Sequence, residues 1–206
     1  MRLQDYTNGK RSISDELINL GISNKYLAEC MKAESFVYRG SLKNIDDYQY
    51  IVPNAKRKPL GMSEASQEIL DKLFNKKFGW NARSEGVFAI GDINGAKDFG
   101  NAYIFIPESD NFKFVWSPKI YDINVNDDFN KLEHEIMMAK PFDKVNINID
   151  DYSKEFEIFV NTYKDNNLST AIKFKHEISF KLSNGYYLVN MRYHSELKKD
   201  LLRLIR

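Results

Sequence analysis

Three short segments carry residue types that could act together on a ligand. The first is Phe36-Val37-Tyr38-Arg39-Gly40. An arginine followed by glycine at a strand end can present its planar guanidinium at an open edge, where paired N–H donors match a phosphate. The same dipeptide also fits a surface arginine before a turn. The second is Gly86-Val87-Phe88-Ala89-Ile90-Gly91-Asp92, followed by Ala96, Phe99 and the run Ala102 to Pro107. It reads as a buried strand, a tight turn, a short helix and another strand, which by itself is also ordinary core. The third is Glu177-Ile178-Ser179-Phe180, then Asn184-Gly185-Tyr186-Tyr187. Glu177 falls in an alternating strand, where a glutamate commonly faces solvent.

Other chemistry has little support. There is no phosphate loop, no dinucleotide fingerprint and no nucleophile elbow. Cys30 is the one cysteine, so neither an internal disulfide nor a cysteine zinc cage is available. It lies beside Leu27 and Met31 on the apolar side of a helix, as a buried thiol does. His134, His176 and His194 are far apart and form no metal-binding motif, so no metal is expected. Asp127-Asp128 and Asp150-Asp151 precede helices, where capping explains them.

The elements that must position the three segments follow from periodicity. Two short helices cover Ser12 to Met31, interrupted at Gly21, Ser23 and Asn24. A strand follows at residues 35–40, then an irregular loop over 41–61. Ser63 opens a helix with Ile69, Leu70, Leu73 and Phe74 as its stripe, ended by Gly79. Strands are expected at Val87–Ile90, Ala102–Pro107 and Lys113–Trp116, with Asn94 capping a short helix between the first two. Helices are expected over 127–139 and after a cap at Asp150, with a short alternating segment at Val145–Ile149. Two strands, Ile172–Phe180 and Tyr186–Val189, read as a hairpin about Asn184-Gly185. A basic helix runs from His194. The order gives α+β, as a single domain over 1–206 with 1–34 as an N-terminal helical segment.

Composition limits the partners. The 206 residues include 30 Lys+Arg and 29 Asp+Glu, a net charge of +1, which argues against broad electrostatic binding of nucleic acid or an anionic membrane. Local basic groups at Lys56-Arg57-Lys58 and at Lys198, Lys199, Arg203 and Arg206, near Tyr48, Tyr50 and Trp80, keep a nucleic-acid reading open. A solvated charged face is the plainer reading. The absence of an apolar N-terminal stretch and of a long apolar run leads to the expectation of a cytoplasmic protein with no membrane association.

In their order, the three segments resemble the ADP-ribosyltransferase superfamily, in its arginine–serine–glutamate class, and its bacteriophage-encoded members in particular. The resemblance spans roughly residues 36–190 and implies a split antiparallel sheet core. It implies NAD as substrate, with Arg39 on the NAD phosphates and Gly40, Phe88, Ala89 and Tyr103 about the cofactor. Phe88 and Tyr103 would line the nicotinamide pocket. Glu177 would bond the nicotinamide ribose and stabilise the charge that develops as nicotinamide leaves. A host protein or nucleic acid would be the acceptor. Two departures stand out. The family's Ser-Thr-Ser positions read Ala89-Ile90-Gly91, with Ser84 before the strand as a poor substitute. Lys175 occupies the place where arginine-modifying members carry glutamate or glutamine, which argues against arginine as acceptor. A catalytically inactive relative, serving as a phage structural or host-protein-binding protein, is the alternative.

Overall fold

The computed structural model describes residues 12–54, 58, 61–138 and 152–204. Among them are eight α-helices and a seven-stranded antiparallel sheet. The strands are β1 (Val37–Ser41), β2 (Tyr48–Ile51), β3 (Val87–Ile90), β4 (Asn101–Pro107), β5 (Phe112–Trp116), β6 (Glu177–Leu182) and β7 (Tyr186–Asn190). Their order is β2-β7-β4-β1-β3-β6-β5. The helices are α1 (Ile13–Asn19), α2 (Asn24–Ala33), α3 (Glu64–Phe78), α4 (Ile93–Lys97), α5 (Asp127–Met138), α6 (Ser153–Asn161), α7 (Leu168–Phe174) and α8 (His194–Leu204).

Capping follows side-chain chemistry. Ser12, Ser23 and Ser63 each accept a backbone N–H from the first turn of α1, α2 and α3. Gly79 ends α3 in the left-handed conformation. Asp92, rather than Asn94, caps α4, because its carboxylate accepts from the Asn94 N–H. The predicted cap at Asp150 and the Val145–Ile149 segment lie outside the described residues.

The sheet is pinched in the middle. Strand β1 pairs with β4 over five residues, from Val37↔Phe105 to Ser41↔Asn101, but with β3 only at Tyr38↔Ile90. Beyond that pair the two strands part. The halves β2-β7-β4-β1 and β3-β6-β5 fold towards each other about this seam. Chain geometry requires it. Strands β6 and β7 are four places apart, roughly 19 Å across a flat sheet. The link 183–185 joins Leu182 to Tyr186 and reaches at most about 14 Å. Ring contacts across the fold agree: Phe105 of β4 and Phe180 of β6 lie 4.9 Å apart between centroids. Tyr26 of α2 meets both edge-on and donates its hydroxyl to the Phe105 carbonyl at 2.6 Å.

Two cores result. The larger lies between the sheet halves and includes Tyr26, Val37, Ile104, Phe105, Ile178, Phe180 and Leu188. The second lies outside β5, where α3, α5 and α6 bring together Leu70, Phe74, Trp80, Phe129 and Phe156. Neighbouring residues of β5 serve both, Trp116 the first core and Val115 the second, as strand alternation dictates.

Three sequence expectations are corrected. Residues 48–51 are not loop but β2, an edge strand paired only with β7. The expected strand Ile172–Phe180 is helix up to Phe174; Lys175 then takes a left-handed conformation and β6 begins at Glu177. The Asn184-Gly185 turn does not close a hairpin, since β6 pairs with β3 and β5 while β7 pairs with β2 and β4. The two helices of the N-terminal segment and the helix from His194 lie where the periodicity places them.

Candidate active site

The parting of β1 from β3 opens a cleft of about 480 Å³. Tyr38, Arg39, Gly40, Phe88, Ala89 and Glu177 all line it. Arg39 and Glu177, distant in sequence, thus face one cavity of a size that small molecules occupy.

Arg39 follows the seam residue Tyr38, where the ladder between the strands stops. Its Nη1 donates to the Phe88 carbonyl of β3, so the guanidinium bridges the gap. Gly40 is held against α4. A β-carbon there would clash with the Ala96 carbonyl oxygen and sit 2.7 Å from Phe99 Cβ. The glycine therefore lets the short helix close one wall of the cleft. Leu42 and Phe99 also line the cavity, yet are 91% and 59% exposed, which places them at its mouth.

Glu177 opens β6 opposite Ile90 of β3. Its backbone N–H donates to the Tyr121 carbonyl at 2.7 Å. His176 before it contacts the Ser117 carbonyl through Nδ1 at 2.8 Å. The Glu177 side chain is 12% exposed, and its Oε1 accepts from Nη1 of Arg83 at 2.9 Å. Arg83 is itself 6% exposed and stacks over the Phe88 ring, 4.2 Å from guanidinium carbon to centroid. Its backbone is anchored by Asp71 of α3, whose carboxylate accepts the N–H groups of Arg83 at 2.7 Å and Ser84 at 3.2 Å. Burial pushes the Asp71 carboxyl up, against the pull of these hydrogen bonds. Burial and then the Glu177 charge hold the hydroxyl of nearby Tyr163 well above its ordinary range. Asp122 and Asn124 complete the wall near Glu177, with Asp122 accepting from the Asn124 N–H at 2.8 Å.

Tyr103 does not line the cleft. It is buried, and its hydroxyl donates to the Lys43 carbonyl at 2.9 Å and accepts from the Ile45 N–H at 3.1 Å, pinning the loop after β1. Ser84 serves Asp71 through its backbone. Lys175 is not a lining residue either; it ends α7. At Gly91 a β-carbon would clash with the Ile172 carbonyl and lie 3.0 Å from Lys175 Cα, so α7 leaves no space for a serine. Of the basic groups, Lys56, Arg57 and Arg206 lie outside the described residues. Lys198 is occupied at the end of α2, donating to the Glu34 carbonyl at 3.1 Å.

Arg83 is the residue that motif reading passed over. It lies in an irregular stretch between α3 and β3, and its ion-pair partner Glu177 is distant in sequence. Comparison with known proteins finds no matching family model, no similar curated protein and no similar solved structure. Among the described residues no group of three or more His, Cys, Asp or Glu is placed to hold a metal, and no helix is long and apolar enough to cross a membrane.

Proposed function

We propose that the chain is an NAD-dependent ADP-ribosyltransferase of the bacteriophage type, acting on a host protein or nucleic acid in the host cytoplasm. The observation that carries this reading is the convergence of Arg39, Gly40, Phe88 and Glu177 on one cleft. A guanidinium on one wall suits the pyrophosphate. An aromatic ring beside a carboxylate suits the nicotinamide ribose, where positive charge develops.

In that reaction the bond between the ribose C1′ and the nicotinamide nitrogen breaks, and its electron pair leaves with neutral nicotinamide. Glu177 faces the electron-deficient ribose. The acceptor's nucleophilic atom bonds C1′ and releases its proton to solvent. Incubation of the full chain with labelled NAD and host lysate tests the proposal. Nicotinamide release and label transfer, both lost in Arg39→Ala and Glu177→Ala, are the expected results. A chain that does neither refutes it.

A second reading is favoured by a specific feature. Arg83 already occupies Glu177, and no hydroxyl stands at positions 89–91. This fits a fold that has kept the cleft without the chemistry and serves as a phage structural or host-protein-binding protein. Thermal unfolding separates the two: an NAD-bound chain melts higher by mass action, whereas an inactive relative without an NAD site shows no shift.

A further inference from the structure

We infer that Arg83 is a positioning residue for Glu177, doing through an ion pair what a hydroxyl on β3 does not do in this chain; the inference rests on the transferase reading above. Three observations converge. The Arg83–Glu177 contact is 2.9 Å with both side chains nearly buried, so neither charge has ready access to bulk water. The guanidinium is fixed on two sides, by the Phe88 ring at 4.2 Å and by its own backbone, held through Asp71. The alternative site for an orienting hydroxyl is closed, because the end of α7 fills the space beside Gly91.

The physical consequence is specific. A carboxylate on a strand end rotates about its side-chain bonds unless something holds it. A planar guanidinium, clamped by an aromatic face, holds it through a directional charge-assisted hydrogen bond. Arg83 also sets a positive charge against the Glu177 carboxylate, which offsets part of the cost of holding that group in a poorly solvated place. Ground-state binding of NAD relies on Arg39 and the cleft walls. Arg83 should therefore affect the chemical step and leave binding largely alone.

The test is steady-state nicotinamide release from NAD by the full chain and its Arg83→Met, Arg83→Lys and Glu177→Gln variants. Arg83→Met should lower kcat about 100-fold, with KM for NAD changed by less than about threefold. Arg83→Lys keeps the charge but loses the planar fork, and should recover roughly a tenth of the wild-type rate. If Arg83→Met fails to fold, Arg83→Lys still decides, since its loss should fall on kcat alone. A wild-type rate in Arg83→Met and Arg83→Lys overturns the inference and leaves the transferase reading standing. A rise in KM at unchanged kcat also overturns it, because Arg83 would then be binding NAD. A wild-type chain as silent as Glu177→Gln refutes the transferase reading and this inference with it.

Discussion

Tyr38 faces Ile90 in the one residue pair that joins β1 to β3, and both residues line the cleft that opens where the strands part. The site is thus a product of strand divergence. Arg39 donates across the opening to the Phe88 carbonyl, which satisfies a backbone acceptor that regular pairing would otherwise serve. Its resting role is structural, and any ligand phosphate must compete with that carbonyl or use the remaining guanidinium donors.

Gly40→Ala should destabilise the fold. The new methyl meets the Ala96 carbonyl and Phe99 Cβ, so α4 must move outward. Overpacking of this kind costs about 1–3 kcal/mol. Urea unfolding should show a lower midpoint at an unchanged slope, and an unaltered midpoint would contradict the close packing of α4 on β1.

Asp71 should make stability fall as pH rises. Burial raises its folded carboxyl above the ordinary 3.8, so the folded chain holds the proton more tightly than the unfolded one. Its contribution is full below 3.8 and is lost as pH climbs through the raised folded value. Asp71→Asn removes this dependence. Unfolding midpoints across an acidic pH series should therefore converge at low pH and shift in favour of the variant as pH rises; parallel curves would count against it.

His194 works in the opposite sense. It packs against Phe36 and contacts the Tyr38 hydroxyl at 3.1 Å, and burial, then Lys198, pulls its imidazole below the ordinary 6.5. The folded chain resists protonation here, so stability is lost as pH falls from 6.5 towards the lowered folded value. His194→Gln should flatten the melting temperature between those limits. A variant that follows the wild-type curve would show that this contact does not titrate with folding.

Cys30 should be inert in the folded chain. Burial pushes its thiol from 9.0 up to about 12, which leaves on the order of a thousandfold less thiolate at neutral pH. Iodoacetamide should label it only after denaturation. Ready labelling of the native chain would mean that α2 opens.

How much of this was legible follows from where each signal resides. The helix over Glu64–Phe78 was readable because Ser63, its apolar stripe and Gly79 are all local. Arg39, Phe88 and Glu177 were readable as types in an order, and the cleft does gather them. Strand β2 was not, because an edge strand with mostly half-exposed residues lacks the alternation that marks a buried one. The Asn-Gly turn misled because local geometry specifies a tight reversal but not which strands flank it. Arg83 was invisible for a related reason: its roles come from Asp71, Phe88 and Glu177, which only the folded chain assembles.

The placement of the last two strands has a consequence for synthesis on the ribosome. Strand β6 inserts between β3 and β5, and β7 between β4 and β2. Until these strands emerge, β5 and β2 have no sheet neighbour and β3 is tied to β1 by one pair. The growing chain therefore carries open strand edges for most of its translation, a state prone to mispairing with other chains. Both halves are completed by one short stretch, Glu177 to Asn190. The same stretch delivers Glu177, so the cleft gains this carboxylate only as the open edges of β3 and β4 are covered.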